Sequence, residues 1–454
     1  VTERPWAGLF SVAAVFALGA AVARALAARH PAAFAVDFAQ PLVVVTAWGT
    51  YGTLCFAVLA ATVVCAGFAL LAAVRCSSVP ASPALALALA ATAALAAIAA
   101  WPFVFSSDAY AYAAYGALAR DGIDPYVPLG RSVHEPFSDA ARWQWGGDAF
   151  PPCIYGPAFV ALARVVVAAA GQTHVAAALD GLRLLACGAF VACIFALDLA
   201  MRGASARRRF ETLAIFGLNP VALWGVAEGH NDAFVLLAAL LGFVLFRRGG
   251  GGAAAGAVLI GLTPLVKATG AAFVAALALD TLCFRPNRAW WSLAGLAGGL
   301  CASVALALPP LLPALYAARR SGHYAPAASV QSALGVAPVA LFALAAGIYG
   351  VMRLGARKRD GHAWLGIAVW LALPNPYPWY ALWFLPAVVA ARNGTAAAAL
   401  YGVTISSLVR YLPDASGHID SSGLRLAAAV EALPLLALAL PLRPLPFRKT
   451  TSRT

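Results

Sequence analysis

The chain has 454 residues, 63% hydrophobic and 11% charged, against roughly 45–50% and about 25% in soluble domains, which excludes an ordinary soluble fold. Apolar runs of about 20 residues, enough to cross a ~30 Å hydrocarbon core, recur from end to end and do not alternate. That excludes a β-barrel and predicts an all-α polytopic membrane protein embedded in a lipid bilayer. The formal net charge of +13 lies in short loops between runs, the pattern that orients membrane proteins, so no nucleic-acid partner is expected.

The first run, Gly8 to Ala28, lacks a strongly basic leader and a cleavage site before soluble sequence, so it is expected to be a retained span. Spans follow near 53–75 and 84–101. The basic loops "RGASARRR" (Arg202 to Arg209), "RRGGGG", "RPNR" and "RLGARKR", with the tail "RPLPFRKTTSRT", are placed in the cytoplasm. Between Pro102 and Tyr155 six acidic residues (Asp108, Asp121, Asp124, Glu135, Asp139, Asp148) outnumber three arginines (Arg120, Arg131, Arg142), so this segment is placed outside. If 156–171 crossed the membrane, "RGASARRR" would emerge on the wrong side. It is therefore expected to be a helix along the outer face, followed by spans near 177–201, 211–227 and 230–246. The stretch 253–281 begins and ends beside cytoplasmic charges and contains "TPLVKATG", where Pro264 removes a backbone donor and Gly270 loosens the chain. A pair of half-helices beside a cavity is expected there, since broken helices at membrane depth survive only against protein or water. Spans near 289–315, 335–354, 362–375, 377–391, 395–411 and 424–442 complete about 12 crossings, with both termini inside. The chain divides by this reading into 1–83, a central module 84–285 with an outer loop over 102–176, and 286–454. The eight cysteines are scattered without a CxxC pair, so neither a disulfide framework nor a zinc site is indicated. No HxxxH or Asp-rich spacing indicates a metal, and no cofactor is expected.

Ionisable groups at membrane depth cost at least ~2.5 kcal/mol each, so they are functional candidates by default. The unusual ones gather on the outer side: Asp108, "EGHNDA" (Glu228 to Ala233), "SVQSALG" with Gln331, and "PNPYPWYALW" with Trp379 and Tyr380. Lys267 sits in the broken stretch. Each has a plainer alternative. Asp108 fits a helix N-cap after "SS", and Tyr110, Tyr112, Tyr115, Trp379 and Tyr380 fit an interfacial aromatic belt. "DGIDPY" is a turn by composition, "EGHNDA" fits a helix cap, and Lys267 fits a snorkelling side chain.

The order of these pieces narrows the choice. "SSDAYAYAAYGALARDGIDPY", ending at Tyr126, comes first, then "WGGDAFPPCIYGPAFVALA" with Trp145 and the Tyr155-Gly156-Pro157 triplet. "LDGLRLLA" carries Arg183, "GLNPVALWGVAEGHNDAF" follows, and "PLVKATGA" carries Lys267. In this order they resemble the GT-C superfamily of integral-membrane glycosyltransferases, and more narrowly the polyprenyl-phosphate-mannose-dependent α-(1→6)-mannopyranosyltransferases. The resemblance spans roughly residues 100–275. Two departures stand out: one acidic residue rather than a pair at the first-loop site, and Glu228 where a small residue is expected before "GHNDA".

The resemblance implies an inverting transfer of a hexose, mannose first, from a polyprenyl-phosphate sugar to a glycan or glycolipid hydroxyl. The site would lie on the extracytoplasmic side of the cell inner membrane. Such chemistry needs a base for the acceptor proton and groups to meet the departing phosphate. By resemblance Asp108 is the base, with burial expected to raise its pKa. Lys267, Arg183 and His230 are candidates for the phosphate. Asn231 and Asp232 are candidates for sugar hydroxyls. Tyr112, Tyr115 and Trp379 offer faces for sugar rings, and Tyr126, Tyr155, Glu228, Gln331 and Tyr380 complete the expected substrate-binding set. Arabinose, glucose or galactose could replace mannose. A transporter or flippase of a lipid-linked sugar would also keep charges and broken helices at depth, and an inactive scaffold would keep the fold.

Overall fold

The structure is a computed structural model describing residues 5–29, 43–44, 50–76, 84–100, 103–104, 106, 108–127, 136–139, 151–285, 289–320, 329–391, 394–412 and 421–439. Trp145, the basic tail and the loop acids Glu135 and Asp148 lie outside the described residues. The chain divides into two compact units, Val1–Ala325 with Asp414–His418, and Pro326–Pro413 with Ile419–Thr454.

The first unit runs α1 (Pro5–Arg29), β1 (Val43–Val44), α2 (Thr50–Cys76), α3 (Ala84–Ala100), β2 (Phe103–Val104), α4 (Asp108–Arg120), α5 (Pro157–Ala170), α6 (Val175–Ala200), α7 (Ala206–Gly217), α8 (Pro220–Ala227), α9 (Asp232–Arg248), α10 (Gly250–Gly261), α11 (Ala271–Phe284) and α12 (Ala289–Arg320). Helices fall where the apolar runs predict them. Val43 and Val44 pair with Phe103 and Val104 as a short parallel bridge. The second unit holds α13 (Val330–Leu334), α14 (Val336–Gly355), α15 (Gly361–Ala372), α16 (Ala381–Ala391), α17 (Thr395–Ser406) and α18 (Ser421–Ala432), with 3₁₀ turns between and after several of them.

Span lengths differ from expectation. Four described helices are long and apolar enough to cross a membrane, or five if one bent pair counts as a span. Several of the other runs form shorter apolar helices of 10–17 residues. The expected span 211–227 is that bent pair, α7 and α8, which meet at 46°. The cause is local. Asn219 caps α8 by accepting the Ala222 N–H at 2.9 Å, and Pro220 at the first helical position donates nothing to the preceding turn. Between α10 and α11 the chain breaks as expected, into two 3₁₀ turns, Thr263–Leu265 and Ala268–Gly270. Lys267 sits between them in extended backbone, φ −155°, ψ 135°.

The core that matters for function lies where α4 packs on α5 and both meet α6. Every residue of α4 from Ala109 to Leu118 is buried. Basic residues near helix ends tie neighbouring helices together: Arg209 of α7 pairs with Asp198 of α6, and Arg247 in the last turn of α9 donates to the Ala200 carbonyl at the end of α6.

Candidate active site

Asp108 opens α4, where a carboxylate is favoured by the helix dipole. Its N–H donates to Ser106 Oγ at 3.2 Å. Its carboxylate turns to two side chains. Tyr112, one turn further along the same face, donates from Oη to Oδ2 at 3.3 Å, and His230 Nδ1 stands 3.4 Å from the same oxygen. The N-cap alternative is thus replaced by a carboxylate held by a phenol and an imidazole.

His230 arrives through the turn between α8 and α9. Gly229 takes φ +83° there, a left-handed conformation that glycine adopts without a Cβ penalty, and its Cα packs on the Arg183 stem, where a Cβ would meet Cγ at 2.9 Å. That reversal sets Glu228 and His230 side by side: His230 Nε2 lies 3.2 Å from Glu228 Oε2, and Glu228 Oε1 accepts the Ser106 N–H at 3.1 Å. Glu228 and His230 side chains are fully buried, whereas 20% of the Asp108 side chain is exposed. The row Glu228–His230–Asp108 is therefore closed at Glu228 and partly exposed at Asp108.

A second pair lies alongside. Lys267 Nζ donates to both oxygens of Asp232, at 2.9 and 3.0 Å, and sits 5.7 Å from the centre of the Tyr155 ring. Asp232 is at the first turn of α9, again the favourable end of a helix. The Tyr155 segment is fastened to the broken stretch by Gly156 N–H donating to Val266 O at 2.9 Å. A Cβ on Gly156 would run into the Leu265 carbonyl, so this contact needs glycine.

The electrostatics follow from these contacts. Burial works against charge on Asp108, yet the His230 hydrogen bond and charge, the Lys267 charge and the Tyr112 hydroxyl hold its carboxyl below the ordinary 3.8. Burial also opposes charge on His230, but Asp108 and Glu228 outweigh it and raise the imidazole above 6.5. Burial pushes the Tyr112 and Tyr155 phenols well up, so both stay neutral donors. The rise expected for Asp108 from desolvation alone is thus reversed by its neighbours.

The structure gathers Asp108, Tyr112, Tyr155, Glu228, His230, Asn231, Asp232 and Lys267. Asn231 is fully buried; its Oδ1 lies 3.4 Å from Tyr112 Oη, and its Nδ2 has no hydrogen-bond partner among the described residues. Other expectations change. Arg183 is 2% exposed and its Nε–H donates to Ala227 O at 2.7 Å, so it fixes the end of α8 from inside the protein. Tyr112 presents no open face for a sugar, because Tyr155 and Phe159 meet it edge-on at 4.9 Å each. Tyr115 is also buried, with its hydroxyl on the Pro151 carbonyl at 3.0 Å. Tyr110, Tyr112 and Tyr115 form core, not an interfacial belt. Tyr126 reaches the Tyr155 carbonyl at 3.0 Å, bracing the loop, and the Asp124 side chain closes the turn on the Tyr126 N–H.

Gln331, Trp379 and Tyr380 belong to the second unit. There Gln331 donates to Leu371 O at 3.1 Å, Trp379 stacks on Tyr377 at 4.5 Å, and Tyr380 stacks on Trp383 at 3.9 Å. Sequence reasoning missed Ser106 and Phe159 as members of the first cluster. Phe159 was readable only as an apolar residue two positions after Pro157.

Residues 5–282 match the profile of the family described as Alpha-(1->6)-mannopyranosyltransferase, N-terminal domain. The chain belongs to this family. The matched region covers all of the gathered residues. Among curated mannopyranosyltransferase relatives, Alpha-(1->6)-mannopyranosyltransferase A of Mycobacterium tuberculosis is 34% identical over 176 residues, 37% of this chain and 31% of that protein. A second alpha-(1->6)-mannopyranosyltransferase of that organism is 28% identical over 152 residues, 33% of this chain and 25% of its own length. The chain thus spans less than a third of the length of these relatives. No solved structure gives a significant match.

Proposed function

We propose that the chain transfers a mannosyl group from a polyprenyl-phosphate donor to an acceptor hydroxyl, on the extracytoplasmic face of the membrane. The observation that carries this reading is the Asp108 carboxylate: partly open, held by His230 and Tyr112, and next to the Lys267 ammonium. Family membership and the names of the mycobacterial relatives support the sugar.

In one displacement the acceptor O–H loses its proton to Asp108 as its oxygen bonds to the anomeric carbon. The bond from that carbon to the phosphate oxygen breaks, and the electron pair leaves on the phosphate. Asp108 suits the base role because the charges around it keep it ionised. Its low basicity is offset by placement, since a positioned carboxylate gains from proximity. Lys267 meets the negative charge that grows on the phosphate, with Asp232 fixing its position. The unpartnered amide of Asn231 offers a donor to sugar or phosphate oxygens. Mannose in a β-linked donor would emerge α-linked.

Membranes containing the chain, incubated with a panel of radiolabelled polyprenyl-phosphate sugars, test the reading. Label is expected to pass from the mannose donor to an endogenous glycan or glycolipid and not from the arabinose, glucose or galactose donors. Transfer from one of those donors alone would overturn the assignment of mannose, and transfer from none would overturn the enzyme.

A further inference from the structure

Glu228 is where this sequence departs from the pattern it resembles, and its carboxylate lies at the closed end of the row that is partly exposed at Asp108. Its two oxygens work in different directions. Oε1 accepts the Ser106 N–H at 3.1 Å, and Ser106 Oγ in turn accepts the Asp108 N–H at 3.2 Å. Oε2 faces His230 Nε2 at 3.2 Å, while His230 Nδ1 faces Asp108 Oδ2 at 3.4 Å. Glu228 thus reaches Asp108 by two routes, through the imidazole to its carboxylate and through Ser106 to its backbone.

The chemistry of the ring decides what this means. Tyr112 Oη also lies 3.4 Å from Nδ1, but its one proton goes to Asp108 Oδ2, so a neutral imidazole, which donates from one nitrogen and accepts at the other, would leave one lone pair facing a carboxylate. Only the doubly protonated ring donates at both ends. A carboxylate as buried as Glu228, 1% exposed, also requires a compensating charge. The imidazolium supplies it, with Arg183 also acting on Glu228 from α6. The other groups around the row are Tyr112, Tyr155, Lys267 and its partner Asp232, with Tyr110 beside Arg183.

We propose that Glu228 is a positioning residue for the transfer reaction, its charge fixing His230 as the imidazolium that orients Asp108 and keeps it charged. The inference rests on the reading of Asp108 as the base. Glu228 and His230 exchange no proton with substrate; the acceptor proton ends on Asp108 and the electron pair on the phosphate.

The discriminating variant is Glu228→Gln. Its amide oxygen still accepts the Ser106 N–H, and its NH₂ can donate to Nε2 of a neutral ring, so shape is retained and only charge is lost. With full-length wild type, Glu228→Gln and Asp108→Asn in nanodiscs, kcat/KM for polyprenyl-phosphate mannose is followed from pH 4.5 to 8. Glu228→Gln is expected to lower kcat with KM little changed, least at pH 4.5, where the ring carries both protons beside Asp108. The loss should grow to about tenfold toward pH 8, because without the Glu228 charge the ring gives up its second proton at a lower pH and holds Asp108 through a weaker, uncharged donor. An alkaline limb that superimposes on wild type, with Asp108→Asn inactive, overturns the role of Glu228 alone. Turnover in Asp108→Asn overturns the base assignment instead. Should Glu228→Gln fail to fold, wild type decides by itself: ¹⁵N labelling of histidine rings, with His230 assigned by its loss in His230→Gln, should show two protonated nitrogens at pH 7. One bare nitrogen there would overturn the proposal.

Discussion

Two buried carboxylates in this molecule have different surroundings. In the first unit, Glu228 belongs to a row in which carboxylate oxygens meet an imidazole at both nitrogens, and the row ends at a partly open Asp108. In the second unit, Glu431 is equally buried, at 1% exposure. Its Oε1 accepts the Trp370 indole N–H at 2.9 Å, and its Oε2 has no hydrogen-bond partner among the described residues. Nearby in that unit the Arg410 guanidinium lies over the Tyr377 ring at 5.4 Å. Burial alone therefore does not mark a chemical site. The first cluster has compensated charge and one partly exposed carboxylate, Asp108; the carboxyl of Glu431 is enclosed.

The comparison can be tested by unbalancing each cluster. Asp232→Ala should do the most damage to folding, because it strands the Lys267 ammonium in the interior. Breaking a buried pair in this way costs about 3–5 kcal/mol, and thermal unfolding in detergent would register it. Gly156→Ala should have the next largest effect. The added methyl strikes the Leu265 carbonyl and drives the Lys267 turn from Tyr155, at about 1–3 kcal/mol for overpacking. Turnover should fall in the folded fraction too, measured as mannosyl transfer per mole of protein. Glu431→Gln should matter least. The amide keeps an acceptor for Trp370, so transfer should match wild type; a large loss there would erase the contrast between the two carboxylates.

Much of the first cluster was legible in the sequence. The spacing of Asp108 and Tyr112 puts both on one helical face, and "NP" followed by "GHNDA" announces a capped helix, a turn and a second helix. "TPLVKATG" announced the break that carries Lys267. Partners were harder to read. Nothing local says that Lys267 meets Asp232, or that His230 bridges Glu228 and Asp108, since those contacts arise from tertiary approach. For that reason burial alone gave the wrong direction for the Asp108 carboxyl, and the bond from Arg183 to the Ala227 carbonyl was not foreseen. The bend within the 211–227 run was not foreseen, because a continuous apolar run hid the cap at Asn219 and Pro220. Aromatic residues of α4 suggested a membrane belt because composition does not distinguish lipid-facing from core-facing tyrosines.

The central claim is that Asp108 takes the acceptor proton. Its most direct test is the initial rate of mannosyl transfer by Asp108→Asn, in membranes where the variant is expressed and folded as wild type. Loss of a positioned general base should lower that rate by about 10²–10⁴-fold, with donor binding retained. A rate equal to wild type would contradict the account.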